Sequence, residues 1–440
     1  MTEASFGSED EFLPFSDRAI IVGIELPSDH ADSEDDLNEL SSLLATLGVE
    51  ERGRVIQKRA KLDPKYLIGK GKVEELRQLA TSKDAKMVVF DRPLSGPQVR
   101  NLEKALCLSV YDRTGIILEI FHRHASTSQA KTQVEIARLE YLLPRMTGAW
   151  THFQRQAGGG VRSRGMGEKQ IEVDRRRARE RIVRLQRKLL HIQKEGETRR
   201  KARSSQWKVA LVGYTNSGKT TLMKGLTKAI DSGEDALFAT LDTRVKVIDP
   251  KTRPKILVSD TVGFIRNLPH SLVESFRSTL HEVIEADVLV HVVDISHENY
   301  RQQIEATTKV LEEIGAGHIP IIYAFNKVDA LEDVVLPRII RGVYDNALVI
   351  SGHLQKDIEI LRDHIFAFFK QNLVEAKMTV PMEDALGQSR IFASCLISDS
   401  DYAVPGRVTF QVQATRAVLN KLRCYIDSEI DGAFSHRMGS

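Results

Sequence analysis

The chain has 440 residues, 42% of them apolar and 28% charged, with a formal net charge of +3. That length and composition fit a globular protein of several domains with ample core, and exclude a fibrous or low-complexity chain. No apolar run approaches a membrane span, and the N-terminus is acidic rather than basic and then apolar, so a cytoplasmic, monomeric protein is expected. The three cysteines, Cys107, Cys395 and Cys424, are scattered without metal-ligand spacing. Charge is unevenly placed: residues 151–206 hold 17 Lys and Arg against 6 Asp and Glu, a local +11 that leaves the remainder at −8. A basic block in an otherwise acidic chain is the footprint of a polyanion partner.

Residues 1–17 are polar, acidic and without period, and read as a disordered tail. Residues 18–127 then alternate between the two regular periods. Strands are expected at Arg18–Leu26, Val55–Lys58, Met87–Phe90 and Ser109–Asp112, with helices at Asp35–Leu47 and Ser95–Leu106. This is the pattern of a small α/β domain. Gly69-Lys70-Gly71 opens a further helix, and without a third glycine or a downstream acid it reads as a structural turn.

From Ser128 to Gln206 the stripes narrow. Ile136, Leu139, Leu143 and Met146 form one, and Ala178, Ile182, Leu185, Leu189 and Ile192 the other, which suits an antiparallel helical hairpin. Pro144 should kink or end the first helix. Gln156–Gly167, with five glycines and two arginines (Arg162 and Arg164), is expected as a basic loop at the tip. The second helix carries Arg175, Arg176, Arg177 and Arg179, too many for the nearby acids to offset, and reads as a phosphate-backbone contact. Trp150, His152 and Phe153 either stack on unpaired bases or pack the hairpin end.

Residues 207–370 carry the chemistry. The apolar run Lys208–Val212 leads into Gly213-Tyr214-Thr215-Asn216-Ser217-Gly218-Lys219-Thr220, followed by Thr221 and a helix start. Strand, glycine-bounded loop and helix are what a phosphate cradle requires: backbone N–H groups close on the phosphates, Lys219 reaches the outer ones, and the Thr220 hydroxyl is a Mg²⁺ ligand. Downstream, Lys255–Ser259 ends in Asp260-Thr261-Val262-Gly263, the DxxG order for a water-mediated Mg²⁺ contact and a γ-phosphate N–H. Ile321–Phe325 ends in Asn326-Lys327-Val328-Asp329, where the Asp329 carboxylate accepts both donors of a guanine edge. Phe238-Ala239-Thr240-Leu241-Asp242 falls where a switch belongs, with Thr240 as second Mg²⁺ ligand, and Ser351-Gly352-His353 where a last guanine loop belongs. The sequence therefore predicts GTP and GDP as ligands.

Phe264 stands where a water-orienting glutamine is common, so its side chain must point away or gate the site. Charge must then come from elsewhere. Lys219 supplies part, and Asn216 offers a ligand for a monovalent cation such as K⁺. Residues 371–387 read as a linker. Within 388–440, strands at Arg390–Ser398 and Arg407–Val412 and a helix at Thr415–Ile430 predict a short α/β segment.

Taken together these residues resemble the HflX family of translation-factor-related GTPases. Leu62-Asp63-Pro64, Ile68–Lys72, Asp112–Leu118, Leu139–Arg145 and Gly165–Gln170 carry the likeness outside the nucleotide motifs. Thr243, Met166–Lys169 and Ser351-Gly352 depart from the family's usual residues. The resemblance implies a GTP-hydrolysing P-loop domain with a mostly parallel sheet and helices on both faces, preceded by a small α/β domain and a helical hairpin. It also implies binding to the large ribosomal subunit and its RNA, and the splitting or rescue of idle or stalled ribosomes. The alternatives from other classes are an RNA-binding module with nucleotide as a structural ligand, and an RNA-remodelling NTPase with ATP activity in the N-terminal domain.

Overall fold

A computed structural model describes residues 16–27, 33–146, 164–201, 206–227, 244–249, 255–266, 280–331, 333, 335–344, 347–371, 373–414 and 416–426, with backbone only at 33, 164–171, 196–201 and 416–417. The chain divides into two compact units, the first running in the main to Ile192 and the second from Gln193.

In the first unit, strands β1 (Arg18–Glu25), β2 (Glu50–Lys58), β3 (Met87–Phe90) and β4 (Ser109–Asp112) form an all-parallel sheet in the order β2-β1-β3-β4. Ala19–Ile24 are buried without interruption, the pattern of a strand covered on both faces. The covering helices are α1 (Ser33–Thr46), α2 (Lys70–Ser82), α3 (Gly96–Leu106) and α4 (Arg113–His124). Local chemistry sets their ends. A Ser95/Gln98 capping box opens α3, Cys107 closes it in the left-handed region at φ 58°, and the Asp112 carboxylate caps α4 by accepting from Gly115 N–H. The Gly69 N–H donates to Gln57 Oε1 at 2.9 Å, so the glycine turn before α2 is tied to β2.

Helix α5 (Ser128–Leu142) is capped by Thr127 and gives way to a 3₁₀ turn, Leu143–Arg145, at Pro144. Proline lacks the N–H that α-helical bonding would use there. The turn docks on the start of α3, where a Cβ on Gly96 would lie 2.2 Å from the Pro144 carbonyl oxygen. Helix α6 (Arg164–Lys201) packs against α5 through Ile136, Leu139, Met146, Ala178 and Ile182, bordered by Leu143, Leu185 and Leu189, and Arg181 pairs with Glu135. One expectation fails here. Arg164-Gly165-Met166-Gly167 belong to α6 rather than to a loop, because two glycines cost about 1 kcal/mol each in a helix that strong formers carry on for many turns. Trp150, His152, Phe153 and Arg162 lie outside the described residues, as does nearly all of 1–17.

The second unit is built on a six-stranded sheet of β5 (Trp207–Gly213), β6 (Arg244–Val247), β7 (Ile256–Asp260), β8 (Val288–Asp294), β9 (Ile321–Asn326) and β10 (Leu348–Val349), in the order β10-β9-β8-β5-β7-β6. Only β6, at one edge, is antiparallel. Its helices are α7 (Lys219–Thr227), α8 (His281–Ile284), α9 (Tyr300–Glu313), α10 (Leu336–Val343) and α11 (Gln355–Gln371). Alternation along the strands feeds two cores. Val288, Val290 and Val292 of β8 join Leu222 of α7 and Leu361 of α11, while Val293 joins Tyr300 and Ile304 of α9.

The C-terminal segment departs from the sequence reading in three places. The expected linker contains β11 (Val374–Pro381), and the expected strand from Arg390 is mostly helix α12 (Ala385–Ser394), followed by β12 (Leu396–Asp401). The expected long helix is short, α13 (Arg416–Lys421) ending in a 3₁₀ turn at Arg423–Tyr425. β11 pairs antiparallel along its whole length with β13 (Arg407–Ala414), which also pairs with β12. The partner of β11 comes some thirty residues later, so its alternation has meaning only once the sheet forms. Asp384 decides for a helix at Ala385, accepting from Gly387 N–H at 2.8 Å and from the Tyr425 hydroxyl at 2.9 Å.

Candidate nucleotide site

The C-terminal ends of β5, β7, β8, β9 and β10 bring the predicted motifs together. The loop after β5 bends through Gly213 at φ +144° and Asn216 at φ +60°, then Gly218 at φ +95°. Gly218 is fixed by a neighbour as well as by its dihedral, since a Cβ there would lie 2.1 Å from Asn326 Nδ2. That amide closes the site. Asn326 is 3% exposed, donates to the Ser217 carbonyl and accepts from Gly352 N–H, each at 2.8 Å. One side chain thus ties the phosphate loop to the last guanine loop.

Lys219, 6% exposed at the start of α7, curls back to donate to the carbonyl oxygens of Gly213 at 3.0 Å and Tyr214 at 2.6 Å. Burial pushes its ammonium down to about 8, with the Asp260 carboxylate opposing the shift. Thr220 Oγ1 donates to Asp260 Oδ2 at 2.8 Å, so the hydroxyl and the carboxylate named from separate motifs meet at the head of α7. Thr221 follows in the same first turn.

The stretch after Asp260 lies along the phosphate loop. Phe264 is 2% exposed; its N–H donates to the Gly213 carbonyl at 3.0 Å and its carbonyl accepts from Thr215 N–H at 2.8 Å. The Tyr214 hydroxyl accepts from Arg266 N–H at 2.8 Å. Gly263 sits so close that an added Cβ would be 2.8 Å from Thr215 Cα. Of the two options for Phe264, the side chain is turned inwards in this state.

At the base end, Lys327 takes φ +65° and its ammonium pairs with Asp294 Oδ2 at 2.7 Å. The Ser351 hydroxyl, then the charges of His353 and Lys327, hold the Asp329 carboxyl below the usual range. Ser351 N–H in turn donates to Asp357 Oδ2 at 2.7 Å, while His353 is exposed. Two residues named from the motifs point elsewhere. The Thr261 hydroxyl is buried and donates to the Leu211 carbonyl at 2.7 Å, leaving only its backbone for a ligand. Val328 packs its side chain into the core beside Phe325. Val262 is half-buried beside Gly263. Phe238, Ala239, Thr240, Leu241 and Asp242 lie outside the described residues.

Sequence reasoning missed Asp294, Asp357 and His291. An acid ending a buried strand and an acid in the first turn of the next helix were signals available for the first two. His291 carried none: it is 1% exposed on β8, kept neutral as burial and then the Lys219 charge press its pKa down to about 3.

On α6, Arg176 pairs with Glu180 at 3.8 Å and Arg177 with Asp174 at 4.0 Å. Arg175, Arg179, Arg184 and Arg187 have no acid partner among the described residues, and the last three are exposed. Among the described residues no group of three or more His, Cys, Asp or Glu is placed to hold a metal, and no helix is long and apolar enough to cross a membrane.

A site that only stacked a purine would have no use for a buried lysine facing a carboxylate–hydroxyl pair. One that took any purine would have no use for Asp329 held ionised beside the Asn326 clamp. The fold and site define a P-loop GTPase, an enzyme that hydrolyses GTP. Three family models match the chain: "GTP-binding GTPase N-terminal" at residues 34–122, "GTP-binding GTPase Middle Region" at 124–203, and "50S ribosome-binding GTPase" at 208–327. The chain is 40% identical to the GTPase HflX of Gluconacetobacter diazotrophicus, covering 92% of this chain and 97% of that one. It is 38% identical to the GTPase HflX of Escherichia coli, covering 90% and 93%. A GTP-binding protein from Sulfolobus solfataricus, solved with GDP, aligns over 80% of this chain and 98% of its own at 23% identity and a TM-score of 0.42. The chain belongs to the HflX family of GTPases.

Proposed function

We propose that this GTPase binds the large ribosomal subunit through its RNA, and that GTP binding and hydrolysis drive the splitting or rescue of idle or stalled ribosomes. The observation that carries the reading is the set Arg175, Arg179, Arg184 and Arg187 along α6, without acid partners among the described residues and continuous in sequence with the nucleotide domain. Cations without acid partners gain most by neutralising phosphates. The protein then works in the cytoplasm, on ribosomes.

Within the site, the geometry supports the following roles. Lys219 gives up two carbonyl contacts to meet the outer phosphates. The Thr220 hydroxyl offers a hard oxygen ligand that fits Mg²⁺, with Asp260 beside it to hold the ion through water and Thr240 as the second protein ligand. A bound Mg²⁺ supplies charge neutralisation at the phosphates. The Gly263 backbone lies against Thr215, and Phe264 next to it is hydrogen-bonded to Thr215 and Gly213, so bringing Gly263 N–H to the γ-phosphate couples nucleotide state to the backbone from Gly263 to Arg266. No side chain at position 264 orients water, so Asn216, exposed at φ +60°, takes a monovalent cation such as K⁺ beside the phosphates. GTP turnover is then faster in K⁺ than in Na⁺.

The test is sedimentation of the protein with purified large subunits, loaded with GDP or a non-hydrolysable GTP analogue. Wild type should co-sediment preferentially in the GTP form, and Arg175→Glu/Arg179→Glu should release it. Equal binding with both nucleotides, or undiminished binding by the variant, would sink the reading.

A further inference from the structure

The nucleotide domain carries a helix face that nucleotide chemistry does not use. Helix α10 turns Ile340 inwards at 1% exposure and leaves Val335, Ile339 and Val343, at its N-cap and along its length, exposed at 59%, 45% and 66%. Spacings of four residues put the three on one ridge. β-branched apolar side chains suit neither a solvated surface nor helix propensity, so solvent is a poor account of this face. Gly342 lies on the same side with nothing within 4 Å of its Cβ position, leaving room for a partner's backbone. Arg338 and Arg341 are exposed and have no acid partner among the described residues. Among the described residues, the acid adjoining the helix start, Asp333, is engaged in capping, accepting from Val335 N–H at 2.7 Å.

We infer that this face of α10 docks an acidic protein segment with an apolar stripe, belonging to the large ribosomal subunit. The ridge needs an apolar cover, and the two arginines need carboxylates beside it, which an acidic amphipathic segment supplies together. Three aliphatic side chains offer a phosphate backbone nothing, and no aromatic ring stands on the ridge to stack a base. A second copy of the chain would set arginine against arginine across a two-fold axis. That the partner lies on the large subunit rests on the function proposed above. The docking face itself is read from α10 alone.

The experiment uses the full chain with a benzophenone amino acid in place of Ile339, bound to purified large subunits with a non-hydrolysable GTP analogue, sedimented and then irradiated. The expected result is a crosslink to an acidic segment of one ribosomal protein. In parallel, Arg338→Glu/Arg341→Glu and, separately, Ile339→Asp should each weaken large-subunit affinity at least tenfold, with nucleotide affinity of the free protein unchanged as the check on folding. A crosslink to RNA, a crosslink between two copies, or no protein crosslink from a sedimenting complex overturns the inference and leaves ribosome binding standing. Failure of the unsubstituted protein to sediment overturns both.

Discussion

Each unit contains an α/β sheet, all parallel in the first and parallel but for edge strand β6 in the nucleotide domain, and the two treat the C-terminal ends of their parallel strands in opposite ways. In the N-terminal unit those ends are filled by the protein itself. Asp112, fully buried at the end of β4, accepts from Leu94 N–H, Gly115 N–H, the Tyr141 hydroxyl and Arg145, whose guanidinium also lies 3.5 Å over the Tyr141 ring. Arg113 beside it, 2% exposed, pairs with Glu39 at 2.5 Å and Asp91 at 2.9 Å. In the nucleotide domain the same positions hold a bent loop and a lysine parked on backbone carbonyls, which can trade protein contacts for phosphate, and a hydroxyl–carboxylate pair that can trade its own contact for a hard cation. Architecture alone therefore does not make a binding site. What matters is whether the strand ends are satisfied by side chains that cannot leave.

The largest test removes the movable cation. Lys219→Ala should lower GTP turnover by at least about a thousandfold, as loss of a charge on developing phosphate charge does. Residual ATP turnover in that protein would break the comparison, because it would need a phosphate site in the sealed unit. Next, Arg113→Met should destabilise the N-terminal unit by about 3–5 kcal/mol, since Glu39 and Asp91 stay behind uncompensated. Denaturant melts would report it, and GDP affinity should not change. A smaller effect comes with pH. Burial pushes the Glu103 carboxyl up to about 7, opposed by a hydrogen bond from Val110 N–H. A folded pKa above the unfolded one favours the neutral acid, so this contribution is full below about pH 4.5 and fades as pH rises to about 7. For a half-buried group that is about 1–2 kcal/mol, and Glu103→Gln should flatten the stability profile across that window. The smallest is Tyr214→Phe, which deletes the hydroxyl that holds Arg266 N–H. It should cost about 1 kcal/mol of the closed arrangement and raise affinity for a GTP analogue relative to GDP several-fold, measured by titration calorimetry.

Much of this was legible in the chain. The motif residues from Gly213 to Thr220 and the strand-end asparagine and aspartates announce their site, because phosphate and guanine impose fixed residue types on fixed strand–loop junctions. The hairpin stripes were legible for a similar reason: Ile136, Leu139, Ala178 and Ile182 repeat at helical spacing, and their seam is where they predict. The C-terminal sheet was not. Val374–Pro381 reads as linker until Arg407–Ala414 pairs with it, and the helix at Ala385 depends on an aspartate held from Tyr425.

The sequence by itself determined the ligand class, the order of the nucleotide motifs and the position of the basic helix, since each follows from local spacing and composition. Only the tertiary structure decided that Asn326 clamps Ser217 to Gly352, that Asp294 braces Lys327, that Phe264 folds inwards along the phosphate loop and that α10 keeps an apolar ridge in the open. Each of these is a relation between residues distant along the chain or a question of which face stays uncovered. Periodicity says that a helix has an apolar stripe, and only packing says whether that stripe finds a core.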